Sequence, residues 1–520
     1  MKAKKIHKYL GIPLCLFLFL AAISGILLNH RDLLQQVDIP RSILPSEYKF
    51  ERWNNGAVRG ILRTDSIAYI YGGAGIWETD SSLQREAHPL HAGFVPGGDE
   101  AKVMSMVQDK SGGIWAASQF RLYRLDPRVK RWSEQPLPTS VQGCLADLQI
   151  SGDSILLLSR SLLYVRTLSN PKWQSYELKA PDGYTGKILL FQIIWMLHSG
   201  EYFGLTGRII VDLIGLVVIL LSLTGIFYTI LSHRLKTSKY REVSSEEIER
   251  KQKLSRRLSF HFKLHKVIGL HLFYLLLFTC VTGWLLRPPL MIPFVLTKAR
   301  PNTFSTLYSE NPWFDRLRGI RRDHKRGGWL LSTSEGFFTL RDFSAKPFKW
   351  DYQPSVSPMG INGFTQRQDG SWLIGSFSGL FEVHPEEKDA IRNYFTGEVV
   401  REVKMGPPVG SYTVSGIFAG ESADNDYIFL YDQGAVRRAK HPSSSIQAQP
   451  FTPQPEALNA SPFSLWQAAL ELHAGRLYRP FLGKWGTELF IFLLGLTSVI
   501  VLITGVRRRS KNKQHTKNDQ

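Results

Sequence analysis

The sequence has little cysteine and lacks the motifs of common nucleotide-binding enzymes. It contains three cysteines in 520 residues, and only Cys144 lies outside the long apolar runs. No intramolecular disulfide can form in that outer part, so its core must depend on packing. The glycine-rich stretch Gly72–Gly75 lacks the G-x-G-x-x-G order of a dinucleotide site. We therefore expect neither a flavin nor a nicotinamide site on this chain.

Acidic residues are fewer than basic ones, and the excess of basic residues lies beside the apolar runs. The chain has 64 Lys and Arg against 44 Asp and Glu, a net charge of +20. Segments 1–8, 233–266 and 507–520 together carry +16 of this charge, and each flanks an apolar run. Basic segments beside membrane spans stay in the cytoplasm. Membrane topology thus accounts for the charge, and we expect no nucleic-acid partner.

Four apolar runs approach the ~20 residues that a helix needs to cross a bilayer. They are Tyr9–Leu28, Ile209–Leu231, Val267–Leu286 and Leu489–Val506. The first run is longer than the ~7–15 apolar residues of a signal peptide, so we expect it to be retained as a span. These features predict a multi-pass membrane protein, in contact with lipid. Both termini would be cytoplasmic and the two long segments external.

The chain is duplicated, which is its most informative feature. The segment Lys5–Gly11 (KIHKYLG) recurs as Lys263–Gly269 (KLHKVIG) at an offset of 258 residues. A Leu-His-Ser/Ala-Gly element precedes the second and fourth runs, at 197–200 and 472–475. Each half therefore consists of a span, an external segment and a second span.

The external segments repeat on a shorter scale. Turn signals precede strand-like stretches whose central large apolar residues lie 41 to 55 residues apart, near the ~40–50 residues of a four-stranded propeller blade. These central residues are Trp77, Tyr123, Tyr164, Phe338, Phe381 and Val436. We predict a membrane α plus all-β fold: a four-helix transmembrane bundle with an external β-propeller-like domain of about six blades, three per half. Two separate small β domains are the alternative.

These patterns divide the chain into eight segments. We expect a first transmembrane helix at 1–30, external blades at 31–186, an interfacial helix and second span at 187–235, a cytoplasmic loop at 236–262, a third span at 263–290, further blades at 291–458, an interfacial helix and fourth span at 459–507, and a basic cytoplasmic tail at 508–520.

Four histidines follow the duplication and form the candidate site. His7 and His265 begin the first and third spans, and His198 and His473 precede the second and fourth. A pseudo-two-fold axis would bring His7 near His265 and His198 near His473. Facing imidazoles in a bundle can serve as axial ligands of haem iron. Two other histidines near span ends are alternates: His30 for the outer pair and His271 for the inner one.

Glycines recur in the same spans and have two interpretations. They could admit a flat macrocycle or allow close helix–helix contact, which small residues commonly permit in membranes. They are Gly11, Gly25, Gly215, Gly225, Gly269, Gly283, Gly495 and Gly505. The fourth span also differs from the second, because five additional residues separate its histidine from its Thr-Gly pair, and we expect a bulge around Pro480.

The spans and their flanks resemble the PepSY-associated transmembrane proteins. The resemblance rests on the Lys-x-His-Lys-x-x-Gly starts and the Leu-His-Ser/Ala-Gly elements. It implies a protein of the bacterial inner membrane that acts in iron uptake, with its two long external segments in the periplasm. It also implies two haem b groups, held by His7, His265, His198 and His473. Such a protein would pass electrons from a quinol or protein donor to an external ferric chelate, as a ferrisiderophore reductase does. Propeller-like repeats, rather than PepSY modules, occupy the external segments of this chain.

A non-enzymatic role is the alternative. The external repeats resemble those of bacterial sensor proteins, so the chain would be a membrane-anchored propeller sensor or transport accessory that binds a ligand or partner protein. The longest cytoplasmic segment has about thirty-five residues, too few for a nucleotide-binding fold. An electron donor, or a partner that relays a signal, would therefore be a separate molecule.

Overall fold

The computed structural model describes residues 3–141, 143–237, 245–357, 360–387, 389–400, 409–420, 425–438 and 446–515. The chain forms two compact units. The helical unit contains Met1–Leu34, Gly186–Tyr308 and Leu465–Gln520, and the β unit contains Gln35–Thr185 and Ser309–Ser464. Both halves of the duplicated sequence contribute to each unit.

Apolar helices dominate the helical unit. Its helices are α1 (Ala3–Asn29), α2 (Arg31–Leu34), α3 (Leu190–Ser199), α4 (Gly204–Thr237), α5 (Ser245–His271), α6 (Phe273–Leu285) and α7 (Ile292–Leu296); α8 (Glu456–Asn459) belongs to the β unit, and α9 (Leu465–His473) and α10 (Arg479–His515) complete the helical unit. Among the described residues, three helical stretches are by themselves long and apolar enough to cross a membrane: Lys5–Asn29, Glu201–Leu235 and Arg476–Val506.

The third predicted span differs from expectation. Helices α5 and α6 meet at Leu272 with a bend of 70°, so this span is a bent pair rather than one straight helix. Leu272 has φ −97° and ψ 11°, well away from the ordinary helical values. No proline lies there to predict the break. The predicted count of four spans is thus not confirmed: the described residues contain three such helices and one bent pair.

Helix α10 also contains an irregular residue. Gly483 has φ 66° and ψ 175°, a conformation that residues with a Cβ rarely adopt. It lies three residues after Pro480, in the region where the additional residues of the fourth span are accommodated.

The β unit contains six four-stranded antiparallel sheets, three from each half of the chain. In the first half, sheet 1 is β2 (Gly60–Arg63), β3 (Ile67–Gly72), β4 (Gly75–Asp80) and β5 (His88–Pro89); sheet 2 is β6 (Val103–Gln108), β7 (Ile114–Ser118), β8 (Leu122–Asp126) and β9 (Arg131–Gln135); and sheet 3 is β10 (Leu145–Ser151), β11 (Ser154–Ser159), β12 (Leu163–Thr167) and β13 (Gln174–Tyr176).

The second half repeats this arrangement. Sheet 4 is β16 (Leu317–Arg322), β17 (Trp329–Thr333), β18 (Gly336–Leu340) and β19 (Phe348–Lys349); sheet 5 is β20 (Ile361–Gln366), β21 (Trp372–Ser376), β22 (Gly379–Val383) and β23 (Ile391–Asn393); and sheet 6 is β24 (Val414–Phe418), β25 (Tyr427–Leu430), β26 (Gly434–Arg438) and β27 (Ile446–Ala448). Two short ladders complete the strands: β1 (Asp38–Ile39) pairs with β28 (Phe463–Ser464), and β14 (Ile188–Leu189) with β15 (Lys298–Ala299).

Apolar side chains fill the spaces between successive sheets. Tyr69 of sheet 1 packs with Tyr123 of sheet 2, for example, and both are almost fully buried. Similar clusters lie between sheets 2 and 3, 3 and 4, 4 and 5, and 5 and 6. A sixth cluster contains Ile70 and Trp77 of sheet 1 with Phe429 of sheet 6. The last sheet therefore packs against the first. A β-sheet domain joined to apolar helices, the coarse form of the fold prediction, is confirmed.

A buried aspartate stabilises the β6–β7 turn of sheet 2. Asp109 accepts hydrogen bonds from the Ser111 and Gly113 amides at 2.9 and 2.8 Å, and from Trp115 Nε1 at 2.9 Å. Burial raises the pKa of this carboxyl, but hydrogen bonds led by those of Ser111 and Trp115 hold it below its ordinary value. Asp369 accepts from Ser371 in the same way in sheet 5, so the turn is duplicated too.

Candidate functional site

The four duplicated histidines lie in two pairs within the helical unit. His7 on α1 faces His265 on α5, with ring centroids 6.2 Å apart. His198 on α3 faces His473 on α9, with ring centroids 6.1 Å apart. Each pair contains one histidine from each half of the chain. The structure brings these residues together in the combinations expected from the duplication, while their role stays a prediction.

The hydrogen bonds of the rings define which nitrogen carries the proton. Three rings reach main-chain carbonyls through Nδ1: His7 to Val501 at 2.9 Å, His265 to Leu221 at 3.1 Å and His473 to Ala21 at 2.9 Å. Because a carbonyl only accepts, Nδ1 carries the hydrogen in each neutral ring. His198 Nδ1 lies 3.2 Å from Thr282 Oγ1, whose own hydrogen goes to Phe278 O at 2.8 Å. Within the described residues, Nε2 of each ring forms no hydrogen bond, so each pair presents two basic nitrogens.

A glycine beside a small hydroxyl residue makes room for each ring. A Cβ added at Gly283 would lie 2.8 Å from His198 Cε1, closer than real Cβ atoms come. The equivalent distances are 3.2 Å from Gly25 to His473, 3.3 Å from Gly505 to His7 and 3.6 Å from Gly225 to His265. Every one of these glycines lies on a helix of the opposite half. The Ser/Thr-Gly pairs therefore act as seats for imidazole rings.

Two other glycines of the repeat allow close helix contact instead. A Cβ at Gly215 would collide with Ile26 of α1, and one at Gly495 would collide with Trp284 of α6. This is the small-residue packing common in membrane helices. Some glycines of the repeat thus make room for a flat ring and others for a neighbouring helix. The flat ring is an imidazole, not the macrocycle that was expected.

The alternate histidines lie away from both pairs. His30 Nε2 lies 3.1 Å from Asp212 Oδ2, and its side chain is exposed. His271 is exposed, and its Nδ1 contacts the carbonyl of Val267 in its own helix at 2.8 Å. Neither of these contacts involves a member of the two pairs, and the part of His30 and His271 as alternates stays a prediction.

The prediction of a haem cofactor is corrected here, because the described residues contain no suitable group of metal ligands. In the part of the chain that the structure describes, no three His, Cys, Asp or Glu side chains form a group that could hold a metal ion. The prediction of two haem b groups is therefore wrong on this finding. Nothing in the described residues supports the electron-transfer interpretation or its quinol or protein donor.

A second candidate site lies in the β unit, where the first strands of the six sheets converge. The cavity there has a volume of about 470 Å³, within the range of small-molecule pockets. Its lining includes residues from β2, β6, β10, β16, β20 and β24, that is, from every sheet. We call this space the axial cavity. Its members lie up to 360 residues apart in the sequence, between Arg59 and Ala419.

Bulges shape the wall of the axial cavity. The register of the first strand shifts by one residue in sheets 2 to 6, always near the start of the strand. The additional residue in each case is Met104, Ala146, Arg318, Asn362 or Ser415. A bulge redirects the side chain of the unpaired residue. Arg59 occupies the corresponding position in sheet 1, immediately before β2.

Hydrogen bonds link neighbouring first strands around the cavity. Asp147 accepts from Ser105 Oγ at 2.9 Å and from the Ile320 amide at 3.0 Å, and it pairs with Arg321. Asp147 is only 4% exposed, so this carboxylate joins sheets 2, 3 and 4 away from water. Asn362 Nδ2 donates to the carbonyl of Val414 at 2.9 Å, which joins sheets 5 and 6.

The described lining of the axial cavity is basic. It contains Arg59, Arg318 and Arg321 with a single carboxylate, Asp147. Burial lowers the pKa of Arg318 to about 10, and it also lowers the pKa of Arg59. Burial raises the pKa of Tyr71, whose ring belongs to the same wall. The site can therefore offer guanidinium donors in partly desolvated surroundings.

Sequence reasoning missed this site, although the duplication contained a signal for it. The segment Arg59–Arg63 reads RGILR and the segment Arg318–Arg322 reads RGIRR, at an offset of 259 residues. The glycine is needed because a Cβ at Gly60 would collide with Tyr71, and one at Gly319 would press on Ile361 of the neighbouring first strand. A search for arginines that obey the repeat would have identified both cavity residues.

Comparisons with known proteins give no family assignment. No protein-family model matches the sequence, and no curated protein does, so the resemblance to PepSY-associated proteins is not shown. Among solved structures, the extracellular domain of the putative hybrid two component system BT4673 from B. thetaiotaomicron has a TM-score of 0.36 at 10% identity, covering 75% of this chain and 34% of its own. This chain thus spans about a third of the length of that one.

Two other solved structures give comparable scores. YCF48 bound to D1 peptide has a TM-score of 0.33 at 9% identity, covering 74% of this chain and 79% of its own. PorZ, a surface component of the type-IX secretion system of Porphyromonas gingivalis, has a TM-score of 0.31 at 13% identity, covering 76% and 38%. Scores this low assign neither a function nor a partner to this chain.

Proposed function

We propose that this protein is a membrane-anchored β-propeller that binds a ligand in its axial cavity, as a sensor or transport accessory rather than a reductase. The observation that carries the proposal is the cavity itself, to which all six sheets contribute side chains. A wall made by every sheet is a typical place for a ligand in a radial β architecture. In this proposal the six sheets form one closed ring, supported by the apolar cluster between sheets 6 and 1.

The helical unit would serve as the anchor. Its apolar helices have the length and composition of membrane spans, and the basic segments beside them favour cytoplasmic termini. The β unit would then lie outside the cytoplasmic membrane of a bacterium. Signals or cargo would pass to a separate partner, because the cytoplasmic segments are short.

For the histidine pairs we propose a role in joining the two halves of the anchor. Every ring is hydrogen-bonded through Nδ1 to a helix of the opposite half, and every pair bridges the halves again. Hydrogen bonds between membrane helices stabilise their association modestly, by about 0.6 kcal/mol each on average. Four such contacts, seated on glycines, would fix the packing of the bundle.

The ligand proposal can be tested by filling the cavity. Met104 lines it from the bulge of sheet 2, so Met104→Trp should occupy space there, whereas Met104→Ala should enlarge it. Purified full-length protein in lipid nanodiscs would be screened against a metabolite library by thermal shift. We expect at least one compound to stabilise the wild type and Met104→Ala but not Met104→Trp. Equal shifts in both variants, or no stabilising compound, would contradict binding in the cavity.

A further inference from the structure

We propose that the axial cavity recognises a small organic anion with at least two carboxylates, held between Arg59 and Arg318. This inference rests on the proposed function and adds the chemical class of the ligand. It depends on where the duplication places these two arginines and on which groups already bond to each of them.

The two arginines are equivalent by the duplication. Arg59 precedes β2 of sheet 1 and Arg318 lies at the bulge of β16 in sheet 4, each followed by Gly-Ile. First strands contact one another in the order of sheets 1 to 6, and the sixth contacts the first again. Sheets 1 and 4 are three steps apart in either direction. The two arginines therefore start from opposite sheets, and both side chains reach the start of β20 in sheet 5. Arg59 bonds there to Ile361 and Asn362, and the Arg318 side chain lies beside Gly360.

Neutral groups alone bond to these two guanidinium groups. Arg59 donates to Asn362 Oδ1 at 3.3 Å and to the carbonyl of Ile361 at 3.1 Å. Arg318 donates to the carbonyls of Asp315 and Leu317 at 2.8 and 2.9 Å. Within the described residues, neither arginine forms an ion pair. The carboxylates that act on them, Asp147 on Arg59 and Asp315 on Arg318, are each paired with another arginine, Arg321 and Arg160.

The third arginine of the wall differs from these two. Arg321 pairs directly with Asp147, the one carboxylate of the described lining, and also donates to the carbonyl of Phe364 at 2.8 Å. Its charge is therefore compensated. The remaining excess in the cavity is two positive charges, on Arg59 and Arg318.

A dianion with separated carboxylates fits this arrangement. An arginine binds a carboxylate through two parallel N–H donors, and such charge-assisted bonds are about twice as strong as neutral ones. Partly buried cations without counter-ions are costly, so an anion that neutralises both is favoured. A cavity of about 470 Å³ has room for a molecule of the size of a di- or tricarboxylic acid.

Isothermal titration calorimetry of the full-length protein in nanodiscs tests the inference, with citrate as the probe. Acetate and inorganic phosphate serve as comparison anions. We expect one citrate per chain and at least tenfold weaker binding of acetate and of phosphate. Citrate that binds no more tightly than acetate would overturn the inference. Phosphate that binds as tightly as citrate would do the same, since one compact anion would then suffice.

Substitutions locate the site. Arg59→Gln and Arg318→Gln should each weaken citrate at least tenfold, which corresponds to about 1.4 kcal/mol. Arg59→Lys and Arg318→Lys keep the charge, remove the two-donor fork and should also weaken binding, so they serve if a Gln variant fails to fold. The control is Arg322→Gln on the same strand, whose side chain stacks on Trp329. An equal loss in this control would show that surface charge alone attracts citrate.

The outcome also separates this inference from the proposed function. If a neutral compound stabilises the wild type but not Met104→Trp, while citrate does not bind, then the cavity binds a ligand and only the anion assignment is wrong. If citrate binds and the Gln variants weaken it, both proposals stand.

Discussion

Removal of the Asp147 carboxylate should destabilise the β unit more than removal of any exposed acid in the same sheet. The carboxylate is 4% exposed, accepts hydrogen bonds from two neighbouring first strands and pairs with Arg321. Asp147→Ala would leave a partly buried guanidinium without its partner. Breaking a buried ion pair in this way costs about 3–5 kcal/mol.

The size of the effect can be converted to a melting temperature. For a domain of about 300 residues, 1 kcal/mol corresponds to roughly 1–2 °C, so we expect the β unit of Asp147→Ala to melt on the order of 5–10 °C lower. Differential scanning calorimetry of the full-length protein in detergent measures this. Asp147→Asn keeps an acceptor for Ser105 and should fall between the wild type and Asp147→Ala.

The matched control is Asp153→Ala at the β10–β11 turn of the same sheet. The side chain of Asp153 is 79% exposed, and its carboxylate lies 3.7 Å from Lys110 Nζ. Exposed pairs contribute about 0–1 kcal/mol, so this variant should melt within a few degrees of the wild type. If Asp147→Ala were no less stable than Asp153→Ala, the carboxylate would not join the sheets as described.

Three further predictions address the turns, the histidine seats and the topology. Because the folded pKa of Asp109 is depressed, its contribution to stability is present above its ordinary pKa and disappears as the pH falls through the folded pKa. Melting temperatures measured from pH 6 to 3 should therefore fall less steeply in Asp109→Asn than in the wild type. Equal slopes in the two proteins would contradict this. Gly283→Ala should lower the melting temperature of the helical unit by pressing on His198, whereas Gly269→Ala, where a Cβ makes an ordinary 3.8 Å contact, should not. A membrane-impermeant maleimide should label Lys110→Cys in intact spheroplasts; labelling only after lysis would refute the topology.

The sequence predicted several features of the repeated segments, because equivalent residues of two repeats are expected at equivalent positions even when the fold is unknown. The combinations of His7 with His265 and of His198 with His473 followed from matching segments in each half. Trp77 and its five counterparts were expected to fill the spaces between sheets, and they are buried there. Local turn and strand signals were enough for that prediction.

Other features depend on contacts that no local pattern reveals. The bend at Leu272 could not be predicted, because no proline lies there. The role of Gly283 as a seat for His198 could be predicted only with knowledge of which helices face each other. The axial cavity forms only when six strands from distant parts of the chain converge. The RGI repeat at Arg59 and Arg318 was visible, but its meaning depends on the bulge at Arg318 and on the convergence of the first strands, which no local pattern reveals.

Each histidine pair is shared between the two halves of the chain, and this sharing has an evolutionary consequence. One element from each repeat is needed for every histidine seat, for every histidine pair and for the packing of sheet 3 on sheet 4. A single ancestral copy, with two spans and three sheets, would expose open sheet faces and unmatched imidazoles. A symmetric homodimer of such copies would satisfy both, and fusion of two copies would make its isologous contacts intramolecular. The two halves differ within the same wall, because Met104 and Asn362 occupy equivalent positions of the repeat.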